Sequence, residues 1–142
     1  MQDREFAERI IRTADEYYFI AEEQWGKAIE LEPADEETLY EFRRLIRVAL
    51  TFYIRSYLVL DLMESDDEQD LEDLLEIIFD QEEEIADFAR KNGATEVLAE
   101  ESTAEYSRLF AVAEALRTLI LQQAGQLAAS LPARFMNSAN DV

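Results

Sequence analysis

Two pairs of carboxylates have the spacing that places metal ligands on one face of a helix. Asp61 and Glu64 are three residues apart, and Glu84 and Asp87 repeat that spacing further along the chain. Residues i and i+3 of an α-helix are neighbours on its surface, so each pair can present oxygens to the same ion. Carboxylate oxygens are the protein ligands that Mg²⁺ takes. These four residues are therefore candidate magnesium ligands, and the chemistry they would support is metal-dependent hydrolysis.

The arrangement loosely resembles the acidic motif of the all-α nucleotide pyrophosphatases of the MazG type, which hold Mg²⁺ between helices. The resemblance implies a Mg²⁺-dependent nucleoside triphosphate pyrophosphatase. The doubled glutamate of that family is absent, because Leu60 precedes Asp61. A chain with 33 acidic residues among 142 also contains several such pairs by chance. The pyrophosphatase is therefore an alternative hypothesis, and a solvated acidic surface is the favoured interpretation.

Two arginines, Arg47 and Arg55, interrupt the most apolar stretch of the chain. They are eight residues apart and project from similar sides of one helix. One hypothesis makes them a binding site for an anionic or phosphate ligand. The favoured interpretation is that each stem covers apolar surface while each guanidinium pairs with an acid. Arg47 and Arg55 are therefore the candidate ligand-binding residues, whereas the aromatic residues Tyr17, Tyr18, Phe19 and Trp25, which could stack a base, are interpreted as core.

The composition excludes several kinds of chemistry. The chain has no cysteine and no histidine. Disulfides, thiolate metal sites and a cysteine nucleophile are therefore absent. The usual general base near neutral pH and the commonest transition-metal ligand are absent too. We expect no cofactor and no catalytic residue, and carboxylates with Mg²⁺ are the remaining route to an enzyme.

The net charge of −20 bears on partners. Nucleic-acid affinity comes largely from Lys and Arg neutralising phosphates, so direct binding of nucleic acid is not expected. Abundant acids with only two lysines, Lys27 and Lys91, suit a salt-rich cytoplasm in which self-repulsion is screened. The alternative is an acidic mimic of nucleic acid, which would compete for a basic partner protein.

Only three glycines and two prolines occur, so the chain favours long helices with few turns. We predict an all-α fold, an antiparallel up-down bundle of four to five helices. A single domain covers residues 1–131, Pro132 stops the last helix, and residues 132–142 form a polar C-terminal tail. The first two helices are predicted at 2–31 and 36–64. The region 70–91 forms one helix or two short helices joined near Asp80.

Local signals predict three helix ends. Asp70 caps the helix that follows it. Gly93 supplies a left-handed cap after Lys91 and Asn92. Ser102 and Glu105 have the spacing of a capping box, in which each side chain accepts from the other's backbone N–H.

The second helix is apolar nearly all round, which predicts that it is covered from more than one side. It is therefore a central helix, a dimer surface or both. We expect a homodimer through the region of the residues Ala49, Phe52, Tyr53 and Leu60. The same stretch is a poor membrane span because it contains Arg47, Arg55 and Asp61. The charged N-terminus lacks a signal peptide, so we expect a soluble, cytoplasmic protein.

The stretch from this helix into the next resembles the HEPN family of small helical bundles. Arg55-Ser56-Tyr57-Leu58 is similar to the family's Lys-Ala-x-Leu segment, and Gln69-Asp70-Leu71 to its His-Asp-Leu. Tyr106 and Arg108 lead into an alanine-rich last helix, as in the family. The resemblance covers residues 5–131 and implies a bundle that dimerises through its long helices.

Many members of that family are ribonucleases that use an arginine followed four to six residues later by histidine. This chain has no histidine, and Gln69 replaces the one in His-Asp-Leu. The ribonuclease activity is therefore excluded. The remaining implication is a non-catalytic binding or accessory module, either nucleotide-binding or a partner of a nucleotidyltransferase-like protein.

Overall fold

The computed structural model describes residues 2–62 and 68–140, with side chains described for 4–62 and 68–131. Within these ranges the chain is a helical bundle without strands, so the all-α prediction is confirmed, but the described residues form six helices in place of the predicted four to five. The helices are α1 Gln2–Ile29, α2 Glu36–Leu62, α3 Leu71–Gln81, α4 Glu83–Asn92, α5 Ala94–Val97 and α6 Tyr106–Asn140. None of the helices in these ranges combines the length and the apolarity that crossing a bilayer requires.

Helix α2 lies at the centre of the bundle and packs against α1, α3 and α6. The residues proposed for a dimer contact are covered within one chain: Ala49 is 0%, Tyr53 1% and Leu60 4% exposed. Phe52 packs with its ring centroid 5.9 Å from that of Tyr17 on α1. The apolar breadth of α2 is therefore explained without a second copy, and the homodimer stays a prediction.

The region after α2 forms two helices, separated at Glu82. The backbone of Glu82 is extended, with φ −128° and ψ 102°, and its N–H donates to the carbonyl of Ile78. Its carboxylate accepts a hydrogen bond of 2.6 Å from the hydroxyl of Tyr57 on α2. Burial and this hydrogen bond raise the pKa of Tyr57 above its usual range. The break thus coincides with a tertiary contact, which no local pattern contains.

Two of the predicted caps are confirmed. Asp70 precedes α3 in an extended conformation, and its carboxylate accepts the N–H of Asp73 at 2.9 Å. Gly93 ends α4 with φ +59°, and its N–H donates to the carbonyl of Ala89. That backbone conformation costs glycine little, because glycine has no Cβ. Both caps arise from neighbours in the chain and could therefore be predicted locally.

We expect Asp70→Ala to lower the free energy of unfolding by about 1 kcal/mol, because the N–H of Asp73 loses its acceptor. Asp70→Asn keeps an acceptor and should remain close to the native value. Asp73→Ala removes the same charge from the same turn without removing the cap. Urea denaturation of the three variants would measure the effect, and equal losses for Asp70→Ala and Asp73→Ala would contradict the capping role.

The predicted capping box at Ser102 is wrong. The N–H of Ser102 donates to the carbonyl of Ala99, and its hydroxyl accepts from the N–H of Ala104 at 3.1 Å. Helix α6 begins at Tyr106. The carbonyl of Ser102 also accepts from Arg43 on α2, so this segment is held by a turn and a distant side chain. These contacts replace the reciprocal cap that the four-residue pattern predicts.

The predicted end of the last helix at Pro132 is also wrong, because the backbone of α6 continues to Asn140. Proline removes one N–H donor and can kink a helix without ending it. The alanine, arginine and methionine that follow in the sequence all favour helix. The boundary of the packed domain at residue 131 stays a prediction.

Candidate functional site

A groove of about 490 Å³ runs along α2 between the start of α3 and the loop before α6. We call it the arginine groove. Its lining consists of Tyr40, Arg43, Arg44, Arg47, Val48, Thr51, Arg55, Gln69, Asp70, Leu71, Glu100 and Glu101.

The groove follows from a repeat of four in the sequence of α2. Arg43, Arg47, Thr51 and Arg55 are spaced four apart, so they follow one another along one side of the helix. The axial rise between Arg43 and Arg55 is about 18 Å at 1.5 Å per residue. The opposite side of α2 is buried in the core. The row of residues Arg43, Arg47, Thr51 and Arg55 therefore lies at the edge of the bundle and forms one wall of the groove. The start of α3 and the loop before α6 form the other wall.

Arg47 is held by contacts from two sides. Its Nη1 and Nη2 donate to Glu72 at 2.8 and 3.1 Å, and Nη1 also donates to the carbonyl of Leu98 at 2.5 Å. Its side chain is only 13% exposed. The hydrogen bond from Arg47 holds the pKa of the Glu72 carboxyl below its ordinary value. The pairing of Arg47 with an acid is therefore observed, and it lies inside a groove.

Arg55 lies at the C-terminal end of this row of residues on α2. Its Nη2 donates to the carbonyl of Gln69 at 3.0 Å. Its guanidinium carbon lies 5.0 Å from the ring centroid of Phe52, a cation–π geometry. These contacts hold the guanidinium at the wall of the groove. The two arginines singled out by the sequence are thus brought to one site.

Two further arginines of the groove, Arg43 and Arg44, are not among the candidates predicted from the sequence. Arg43 donates to the carbonyl of Ser102 at 2.5 Å, and among the described residues it forms no ion pair. Arg44 pairs with Glu41 one turn earlier, at 2.5 Å, and both side chains are exposed. The signal that could have found Arg43 is its position four residues before Arg47. The contact that positions Arg43 could not be predicted locally, because the carbonyl that accepts its hydrogen bond is 59 residues away.

Cations outnumber acids in this lining. Four of the eleven arginines of the chain are there, against Asp70, Glu100 and Glu101. The carboxylate of Asp70 is already engaged in capping α3. In the whole chain acids outnumber cations by 33 to 13, so the lining is richer in cations than the chain as a whole, although Glu41 and Glu72 each pair with one of its arginines. Its local chemistry suits an oxyanion.

The candidate magnesium ligands do not form such a site in the described part of the chain. Asp61 lies on α2, whereas Glu84 and Asp87 lie on α4 beside Lys91. Among the side chains described, those of residues 4–62 and 68–131, no three acidic groups are placed so that they could hold a metal. Glu64 lies outside the described residues. The four-residue magnesium site therefore stays a prediction.

A second polar cluster, Glu22, Tyr53 and Arg117, joins α1, α2 and α6, and no sequence motif indicates it. The hydroxyl of Tyr53 donates to Glu22 at 2.6 Å, and Arg117 donates to Tyr53 at 2.8 Å and to Glu22 at 2.5 Å. The guanidinium of Arg117 also lies over the rings of Trp25 and Tyr53. Burial and the bond to Glu22 raise the pKa of Tyr53, so the phenol stays protonated. These hydrogen bonds and the ion pair connect α1, α2 and α6.

Comparisons with protein-family models, curated proteins and solved structures give no match for this chain. The interpretation of the site therefore depends on its own geometry. That geometry brings Arg47 and Arg55 together with Arg43 and Arg44 in one groove.

Proposed function

We propose that this chain is a non-catalytic, HEPN-like binding module, an up-down helical bundle that binds an anionic ligand in the arginine groove. The observation that carries the proposal is the row of guanidinium groups along one side of α2. Binding at this groove requires no histidine, cysteine or metal. The proposal therefore agrees with what the composition excludes.

The contacts of Arg43 support a binding role. A backbone carbonyl positions its guanidinium, and a carbonyl carries no net charge to neutralise it. Guanidinium groups that are held in place lose less conformational freedom on binding, and they match the oxygens of phosphate and carboxylate groups. The guanidinium of Arg43 is therefore held in position and carries a positive charge that a bound anion can neutralise.

A small nucleotide is the ligand class that we propose first. Tyr40 is 59% exposed at the end of the groove nearest Arg43 and Arg44, and its ring offers a face on which a base can stack. A long nucleic acid does not fit, because a chain of net charge −20 repels a phosphate backbone beyond the groove. A mononucleotide carries few negative charges, and all of them can lie near the arginines of the groove.

We expect Arg43→Gln to weaken nucleotide binding at least about tenfold, since a charge-assisted hydrogen bond is lost. Arg90→Gln is the matched control: it removes the same charge from a side chain on α4 that is 75% exposed and pairs with Asp87. Its binding should stay within about twofold of native, because Arg90 is outside the groove. Calorimetric titration with ATP and with AMP, at fixed ionic strength, would measure both.

Two results would overturn the proposal: no binding of either nucleotide by the native chain at millimolar concentration, or equal weakening by Arg43→Gln and Arg90→Gln. The same titrations, repeated with Mg²⁺, separate binding from hydrolysis. Release of pyrophosphate only with the metal would instead support the pyrophosphatase hypothesis and its residues Asp61, Glu64, Glu84 and Asp87.

A further inference from the structure

A carboxylate of the chain itself already pairs with Arg47, one of the residues that line the arginine groove. Glu72, in the first turn of α3, accepts from both Nη atoms of Arg47, at 2.8 and 3.1 Å. It also accepts from its own backbone N–H. The N-terminal turn of a helix favours negative charge, because its N–H groups have no partners within the helix. Glu72 thus sits where an external oxyanion would find its strongest contacts.

The two partners of this ion pair are not equally fixed. Arg47 is 13% exposed, and the carbonyl of Leu98 holds it independently of Glu72. The Glu72 side chain is 45% exposed. If the carboxylate of Glu72 rotates into solvent, the guanidinium keeps its anchor and the carboxylate regains water. The departure of Glu72 therefore leaves Arg47 in place with both Nη groups available.

We propose that the arginine groove binds one compact oxyanionic group, a phosphate or a carboxylate, at Arg47 in exchange for the carboxylate of Glu72. This inference rests on the proposed function and adds both the ligand group and the residue that limits the affinity. Glu72 acts as an internal competitor. Its removal should therefore strengthen binding, whereas removal of an arginine weakens it.

The geometry favours one oxyanion over a chain of them. Two Nη groups that bind two carboxylate oxygens can bind two oxygens of a phosphate in the same way. The carboxylate of Glu100 lies 3.9 Å from Nη2 of Arg47, and its side chain is 81% exposed. An anion bound at Arg47 would therefore have this acid beside it. Each further negative charge on a ligand meets these acids and the −20 charge of the chain. One anionic group gains the contacts of Arg47 with the least repulsion.

Glu72→Gln tests the exchange, with inorganic phosphate and acetate as separate probes. Glutamine is neutral and competes weakly for Arg47, so we expect phosphate to bind about tenfold more tightly than to the native chain. Glu23→Gln is the control: it removes the same charge from α1, where Glu23 pairs with Lys27. Its affinity should stay within about twofold of native. Chloride keeps the ionic strength constant, and the acetate titration shows whether a carboxylate can replace phosphate.

A second measurement uses the native chain and does not depend on the variant folding. Carbon NMR of the Glu72 carboxyl follows its protonation with and without saturating phosphate. Exchange removes Arg47 as its partner, so the pKa of Glu72 should rise toward its ordinary value when phosphate binds. A merely structural ion pair would keep the same pKa in both titrations.

The outcomes separate this inference from the function on which it rests. Equal phosphate affinity of the native and Glu72→Gln chains, with an unchanged pKa of Glu72, would overturn the exchange. Nucleotide binding that depends on Arg43 would then still support the arginine groove. Absence of binding by both chains, for phosphate and nucleotides alike, would overturn both proposals.

Discussion

Leu50→Ala is expected to lower the free energy of unfolding by about 3 kcal/mol, because it truncates a fully buried leucine. Leu50 is 0% exposed at the middle of α2, the helix that α1, α3 and α6 cover. Truncation removes buried methyl groups and leaves a cavity that the surrounding core closes only in part. Urea denaturation, followed by circular dichroism, would measure the loss.

Leu62→Ala is the matched control, because it makes the same truncation on the same helix where the side chain is 42% exposed. We expect a loss of no more than about 0.5 kcal/mol there. A loss below about 1 kcal/mol for Leu50→Ala would contradict the central position of α2.

The second large effect is expected for Arg117→Met, at about 2 kcal/mol near pH 7. The change removes the charge that compensates Glu22 and the N–H that donates to Tyr53, and it leaves the carboxylate partly buried. Loss of a partner for a fully buried charge costs more, but Glu22 is 34% exposed and keeps some water. Arg90→Met, an exposed pair on α4, is the control and should cost little.

The stability that Arg117→Met loses should decrease as the pH becomes acidic. Burial raises the pKa of Glu22, but hydrogen bonds from Tyr53 and Arg117 outweigh it, and the net pKa lies below the ordinary value of 4.5. Stability from a depressed carboxyl pKa is present above the unfolded-state pKa and disappears as the pH falls through the folded-state pKa. The difference between native chain and Arg117→Met should therefore shrink below about pH 4.5. A difference that stays constant from pH 7 to pH 3 would show that Glu22 does not carry the effect.

Features that depend on neighbours in the chain could be predicted from the sequence. The period of apolar residues and the scarcity of glycine and proline predict the helices: α1 and α2 begin at the predicted residues, and α1 ends within two residues of its predicted end. The caps at Asp70 and Gly93 follow from side-chain chemistry within one turn. The absence of histidine and cysteine excludes whole classes of chemistry whatever the fold.

Features that join distant parts of the chain could not be predicted in this way, because they depend on how the helices pack. Arg43 and Arg47 are held by carbonyls 59 and 51 residues away, and Arg117 meets Glu22 across 95 residues. The separation of α3 from α4 at Glu82 and the turn at Ser102 involve α2 in the same way. Local periodicity places a side chain on a face of its own helix, but it does not specify which distant loop covers that face. The arginine groove and the Glu72 contact arise from such long-range packing, because the residues spaced four apart along α2 form one wall of the groove, and α3 and the loop before α6 form the other.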